Sequence, residues 1–197
     1  MALVGTTKLE AVNIMLNTIG ESSTTTLSGT LPFEVAVAET TLDEVAKEMQ
    51  MDSYVFNTEY GVVLLPVTNA STGLTKIPVT TNYLRIENTY DYEEYTIRQG
   101  FLYSMREKTD LISSQVTVDV IYALDFIDLP EAAKRYCNIR AARVYADRLV
   151  GSKDIRAFSQ MDEFEAKSKL MNYEAGVDNV NMLRDNRDTF SVINRRI

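Results

Sequence analysis

An α+β fold is predicted for this chain. A bundle of about four helices carries an antiparallel β domain inserted between helix 2 and helix 3, and an extended C-terminal tail follows. Three observations predict it. Apolar residues recur every three or four positions before residue 50 and again after Pro130, the spacing that lines one face of a helix. Between those regions lie short alternating runs rich in Tyr, Thr and Val, punctuated by Gly, Asn and Ser, which read as strands and turns. Beyond Gly176 no clean period persists. The resulting boundaries are 1–53 and 129–176 for the two parts of the bundle, 54–128 for the β insertion and 177–197 for the tail.

Thr7 and Glu10 stand at capping-box spacing, so Thr7 is predicted to start the first helix. Leu9, Val12, Leu16 and Ile19 form its apolar stripe, and Gly20 can take the left-handed conformation that closes it. Residues 22–29 are mostly Ser and Thr, whose hydroxyls compete for backbone groups and disfavour helix. Pro32 suits the opening of a second helix. Val35, Ala38, Leu42, Val45 and Met49 make its seam, and its end is expected between Gln50 and Ser53.

Strands are expected at 62–67, 76–79, 83–87, 95–98, 101–106 and 116–122. A loop is expected at 69–73 and a tight turn at Gln99-Gly100, while Pro66 and Pro78 belong at strand ends or edges. Helix returns at Pro130. Ala133, Tyr136, Cys137, Ile139, Ala142, Val144, Tyr145 and Leu149 cover most of its faces, the mark of a central helix. Gly151 stops it and Ser152 caps a fourth helix, whose seam is predicted as Ala157, Met161, Phe164, Ser168 and Met171. Glu163 with Lys167, and Glu165 with Lys169, are expected as i,i+4 pairs on its solvent side. Gly176 ends it.

The 197 residues are 45% hydrophobic and 24% charged, an ordinary globular composition able to bury a core. No apolar run is long enough to span a membrane, and no membrane partner is expected. The first eight residues lack the basic start and apolar core of a signal peptide, so synthesis in a cytoplasm is expected. Cys137 is the single cysteine and histidine is absent. These two facts exclude an intrachain disulfide, Ser-His-Asp and Cys-His catalysis, and the commonest transition-metal ligand. A small buried thiol is the expectation for Cys137. The net charge of −8 argues against a binder that neutralises phosphates.

Glu87, Asp91, Glu93 and Glu94 interleave with Tyr90, Tyr92 and Tyr95. A calcium loop would need a central glycine that is missing here, and sugar hydrolysis would need two convergent carboxylates. A solvated loop joining two strands is expected instead, with no catalytic residue, no cofactor and no metal. Asp125 and Asp128 are expected to cap the third helix. The sequon Asn69-Ala70-Ser71 is a short chance match, and Leu27-Ser28-Gly29-Thr30 lacks the second glycine and the lysine of a phosphate loop.

Three segments taken together carry a family resemblance. They are the helix from Leu9 to its stop at Gly20, then Glu59-Tyr60-Gly61-Val62-Val63-Leu64-Leu65-Pro66, then Leu129-Pro130-Glu131-Ala132-Ala133-Lys134-Arg135-Tyr136. In this order and spacing, on a chain of this length, they resemble the tail tubular protein A family, the head-to-tail adaptors of short-tailed, autographivirus-like podophages. The resemblance covers roughly residues 8–185 and is weakest in the β insertion. It implies a non-enzymatic virion tail protein: a homo-oligomeric ring, a dodecamer, joining the portal protein to the tail nozzle (tail tubular protein B). It implies tail fibres as further partners and genomic DNA that passes through the channel without specific binding. A ring of twelve copies would carry a formal charge of about −96, a wall that repels DNA.

The partner-contact candidates are Arg140 and Arg143 on the third helix and Arg184, Phe190, Ile193, Arg195, Arg196 and Ile197 in the tail. Arg143 with Asp147 reads as an internal ion pair. The helix-three arginines, Arg135 and Arg148 included, form a solvated face in a monomer or meet acids of the next subunit in a ring. The tail mixes polar residues with apolar anchors and arginine donors, a composition that orders against a partner. The alternative function is a tail-associated hydrolase acting on peptidoglycan or polysaccharide, since acid–base carboxylates need no histidine.

Overall fold

A computed structural model describes residues 5–88, 93–151 and 153–177, with side chains in the last stretch from residue 160 onward. Helix α1, Lys8–Thr18, opens with the expected capping box. The Glu10 N–H donates to Thr7 Oγ1 at 3.2 Å, and the Thr7 N–H donates to the Glu10 carboxylate at 2.8 Å. Ala11, Val12, Met15 and Leu16 are its buried face, and Gly20 closes it at φ +84°. Helix α2, Phe33–Gln50, follows Pro32 and buries Val35, Ala38, Leu42, Val45 and Met49, the predicted seam.

Helix α3, Glu131–Leu149, packs against α1, α2 and the fourth helix α4, Lys153–Val177. Its N-cap is Pro130, without a side-chain cap. Asp125 and Asp128 therefore do not cap it. Asp125 instead stands at the start of a one-turn 3-10 helix, Phe126–Asp128, whose last residue is Asp128. The fixed φ of Pro130 launches α3, and Glu131 in its first turn accepts the Thr6 N–H at 3.1 Å and the Thr6 hydroxyl.

Among the described residues, seven strands lie between α2 and α3: β1 Thr58–Leu64, β2 Val67–Thr68, β3 Thr75–Lys76, β4 Tyr83–Glu87, β5 Tyr95–Arg98, β6 Phe101–Ser104 and β7 Val116–Tyr122. All their pairings are antiparallel. β7 sits between β1 and β4, while β2 with β3 and β5 with β6 form hairpins. Gln99 at φ +53° and Gly100 at φ +77° make the tight turn of the second hairpin. The first strand starts four residues before its predicted position, because Gly61 (φ +69°) forms a bulge that lets pairing continue past Glu59. The Gly61 N–H released by that bulge donates to Asp119 at 2.9 Å. The strand ends before Pro66, which has no N–H to give a ladder. Pro78 makes only an isolated bridge to Phe101.

Two apolar cores result among the described residues. One is built from α1–α4 with Tyr54, Phe126 and Leu129; the other joins Leu64, Ile77, Ile86, Leu102, Val118 and Val120 inside the β region. Two buried amides brace the crossing between them. Gln50 accepts the Leu124 N–H at 2.7 Å and donates to the Leu124 carbonyl at 3.1 Å. Asn57 donates to the Gln50 and Tyr122 carbonyls at 2.8 and 2.9 Å and accepts the Tyr54 N–H at 3.0 Å. Both chain connections across the junction are thereby tied to each other.

On α4 the seam differs from the expectation. Ala166, Leu170 and Glu174 are buried, whereas Met161, Phe164 and Met171 are exposed. The helix is apolar on two sides, and its polar partners choose between them. Glu163, Ala166, Leu170 and Glu174 share one face by spacing. Arg143 on α3 holds Glu163, and the Val55 N–H donates to Glu174 at 2.7 Å. Ala166 is small enough to let the helices approach. Glu163 is therefore not a solvent-side partner of Lys167; Glu165 does pair with Lys169.

Candidate assembly surfaces

Three of the four arginines of α3 pair within the subunit. Arg143 is paired with Glu163 and reaches Asp147, four residues on, at 3.5 Å. Arg140 contacts Glu48 of α2 at 2.7 Å, donates to the Tyr136 hydroxyl at 2.8 Å and lies 4.0 Å from Glu163. The bond to Glu163, opposed by burial, raises the Arg143 guanidinium above its ordinary range. Burial opposes the charge of Arg140 too, but Tyr136, Glu48 and Glu163 outweigh it and the shift is also upward. Glu163 thus links α3 to α4, and Arg140 links α3 to α2. Arg148 is half-exposed and pairs with Glu44 at 3.0 Å, an interaction of small worth in water. Arg135 is exposed.

The outward face of α4 is the first apolar surface. Met161 is 75% exposed and Phe164 76%, with Met171 on the same side two turns later. Their spacing places them in one stripe across the helix from Leu170. Side chains of this size and exposure, grouped rather than scattered, mark a contact surface. The second apolar surface runs along β1 and just beyond it: Tyr60, Val63, Leu65 and Val67 are all more than half exposed. Leu64 and Val62 meanwhile face the β core.

Burial pushes the Cys137 thiol up to about 12, so it stays protonated and inert. Glu87 is paired with Arg85, and Glu93 accepts from Ser104 at 3.1 Å and lies 3.5 Å from Arg106. Asp91 and its neighbouring tyrosines at 90 and 92 lie outside the described residues. Among the described residues, no cluster of His, Cys, Asp and Glu could hold a metal ion. An open cleft of about 480 Å³ lies between α2 and the 123–127 segment, lined by Lys8, Asp43, Lys47, Gln50, Asp125 and Phe126. Among the described residues, no helix is long and apolar enough to cross a membrane.

Of the partner-contact candidates, the structure brings Arg140 and Arg143 together through Glu163. Arg184, Phe190, Ile193, Arg195, Arg196 and Ile197 lie outside the described residues. Sequence reasoning did not single out the two apolar surfaces or the bracing amides Gln50 and Asn57. The stripe on α4 has a signal in hindsight: two apolar faces on one helix, only one of which can meet α3. The amides have none, because a buried Gln at a helix end reads like an exposed one.

The family model for tail tubular proteins matches residues 9–180. Tail tubular protein A of Klebsiella phage KP34 is 29% identical over 157 residues, spanning 79% of this chain and 81% of that protein. The matched span runs from α1 through α4 and takes in both cores, so the likeness rests on the whole architecture. The chain belongs to the tail tubular protein family and is a structural component of a phage tail, where it assembles with other tail proteins.

Proposed function

We propose that this tail component is the head-to-tail adaptor, one subunit of a dodecameric ring between the portal and the tail nozzle. The observation that carries this reading is the stripe of Met161, Phe164 and Met171 on the outward side of α4. The bundle is already closed by its own core and by the Arg140 and Arg143 ion pairs, yet it presents a second apolar helix face. A head-to-tail contact between unlike surfaces, repeated with rotation, closes into a ring, and this stripe supplies one half of such a contact. The net charge of −8 per copy suits a channel that genomic DNA traverses without sticking. The nozzle protein and the tail fibres are the partners at its distal side.

The test is recruitment. Purified protein mixed with portal and imaged by cryo-EM is expected to form a ring at the portal's exit. Phe164→Asp is expected to abolish the ring while leaving the far-UV circular dichroism unchanged. Protein that stays monomeric beside portal, or a Phe164→Asp ring as complete as the wild type, refutes the reading. Incubation with peptidoglycan or host polysaccharide is expected to release nothing; release abolished by Glu93→Gln would establish the hydrolase instead.

A further inference from the structure

We propose that the stripe of Met161, Phe164 and Met171 on one copy seats in an apolar groove on the β region of the next copy, between the β2–β3 hairpin and β6. This rests on the adaptor reading and names the other half of its subunit contact. The groove holds about 370 Å³, and Val67, Leu74, Lys76, Pro78 and Phe101 are among the residues that line it. Val67 and Leu74 stand 57% and 45% exposed there. The backbone beneath is fixed, because the Val79 N–H donates to the Gly100 carbonyl at 2.8 Å and the Leu102 N–H to the Ile77 carbonyl at 2.9 Å. A groove formed before its occupant arrives loses little ordering entropy on being filled.

The occupant is a second copy of this chain. Its helix face is convex and free of charge: Met161, Phe164, Ser168 and Met171 follow one another at helical spacing. The groove has one charged lining residue, Lys76, which Asp110 already holds and which lies 5.1 Å from the centre of the Phe101 ring. Joining the two surfaces therefore strands no ion, the step that makes buried charge costly. Two other hollows fail this test. The cleft beside α2 presents Lys8, Asp43, Lys47 and Asp125, and the hollow beside β5 presents Glu87, Glu93, Glu94 and Arg98. Area decides when the contact forms. The stripe is 75%, 76% and 53% exposed at its three large residues, which leaves roughly 400 Å² at about 200 Å² for a side chain of this size. A stable interface takes roughly 800 Å² from each partner. A lone pair of copies is therefore weak, whereas in a closed ring every subunit uses both surfaces.

Two experiments on the full-length chain mixed with portal test it. In the first, Met161→Cys is combined with Leu74→Cys in one chain and oxidised; the buried thiol of Cys137 does not compete. The expected product is a ladder of covalently joined copies that neither single variant gives. A disulfide within one copy, a dimer from Met161→Cys alone, or a link to portal overturns the proposal. A complete ring whose thiols stay free, both here and with Met171→Cys in place of Met161→Cys, also overturns it and leaves the adaptor reading standing. In the second, Leu74→Asp is expected to abolish the ring without lowering the melting temperature of the isolated chain. A Leu74→Asp ring as complete as the wild type overturns the groove alone. Wild-type protein that forms no ring overturns both readings together.

Discussion

Leu170→Ala and Phe164→Ala, six residues apart on one helix, separate the two faces of α4. Leu170 is fully buried against α3, whereas Phe164 is 76% exposed. Truncating Leu170 removes three buried carbons, worth about 2.4 kcal/mol at ~0.8 kcal/mol each. The cavity left behind brings the cost to about 2–5 kcal/mol. For a chain of this length each kcal/mol lowers Tm by about 2–4 °C, so a fall of roughly 5–15 °C is expected. Phe164→Ala deletes a larger side chain but one already in water, and its cost is expected to stay within about 0.5 kcal/mol. Thermal and urea unfolding of the isolated chain, followed by far-UV circular dichroism, measures both. A Phe164→Ala loss equal to that of Leu170→Ala would refute the assignment of faces, and so would a Leu170→Ala loss below about 1 kcal/mol.

Leu16→Asp and Val45→Asp are each expected to unfold the bundle, since both sites are buried and an unpaired buried charge costs several kcal/mol; near-normal melting of either would contradict the shared core. Gln50→Leu strips the Leu124 N–H and carbonyl of their partner. It is expected to cost about 1–3 kcal/mol and to speed exchange at the Leu124 amide, while unchanged exchange there would remove the brace from the account. The Thr6 hydroxyl bond lowers the Glu131 carboxyl below its ordinary 4.5, so the link between the N-terminal segment and α3 is complete above that pH and is lost as pH falls through the folded value. An NMR titration of Thr6→Val should move Glu131 back up, and no movement would assign the shift to another cause.

The sequence by itself determined the helices, because capping residues and apolar periods are local. Thr7 and Glu10 cap α1 as their spacing demands, α2 buries its predicted seam, and α3 buries Ala133, Tyr136, Cys137, Ala142 and Tyr145 of its predicted residues, with Ile139 and Val144 half-buried and Leu149 exposed. The strands at Tyr83–Glu87, Tyr95–Arg98 and Val116–Tyr122 are likewise legible from alternation and turn residues. The family resemblance was legible in three segments, and the family match covers them. What only the tertiary structure decided is every choice between equivalent local options. Helix α4 has two apolar faces, and the pull of Arg143 on Glu163 and of the Val55 N–H on Glu174 selected the one that turns inward. β1 begins early because Asp119, far along the chain, receives the N–H of the Gly61 bulge. Asp125 and Asp128 lose their capping role to a one-turn helix and a proline. Periodicity states which residues can be buried together. Which of them are, and which face is left exposed, depends on polar contacts between residues distant in sequence.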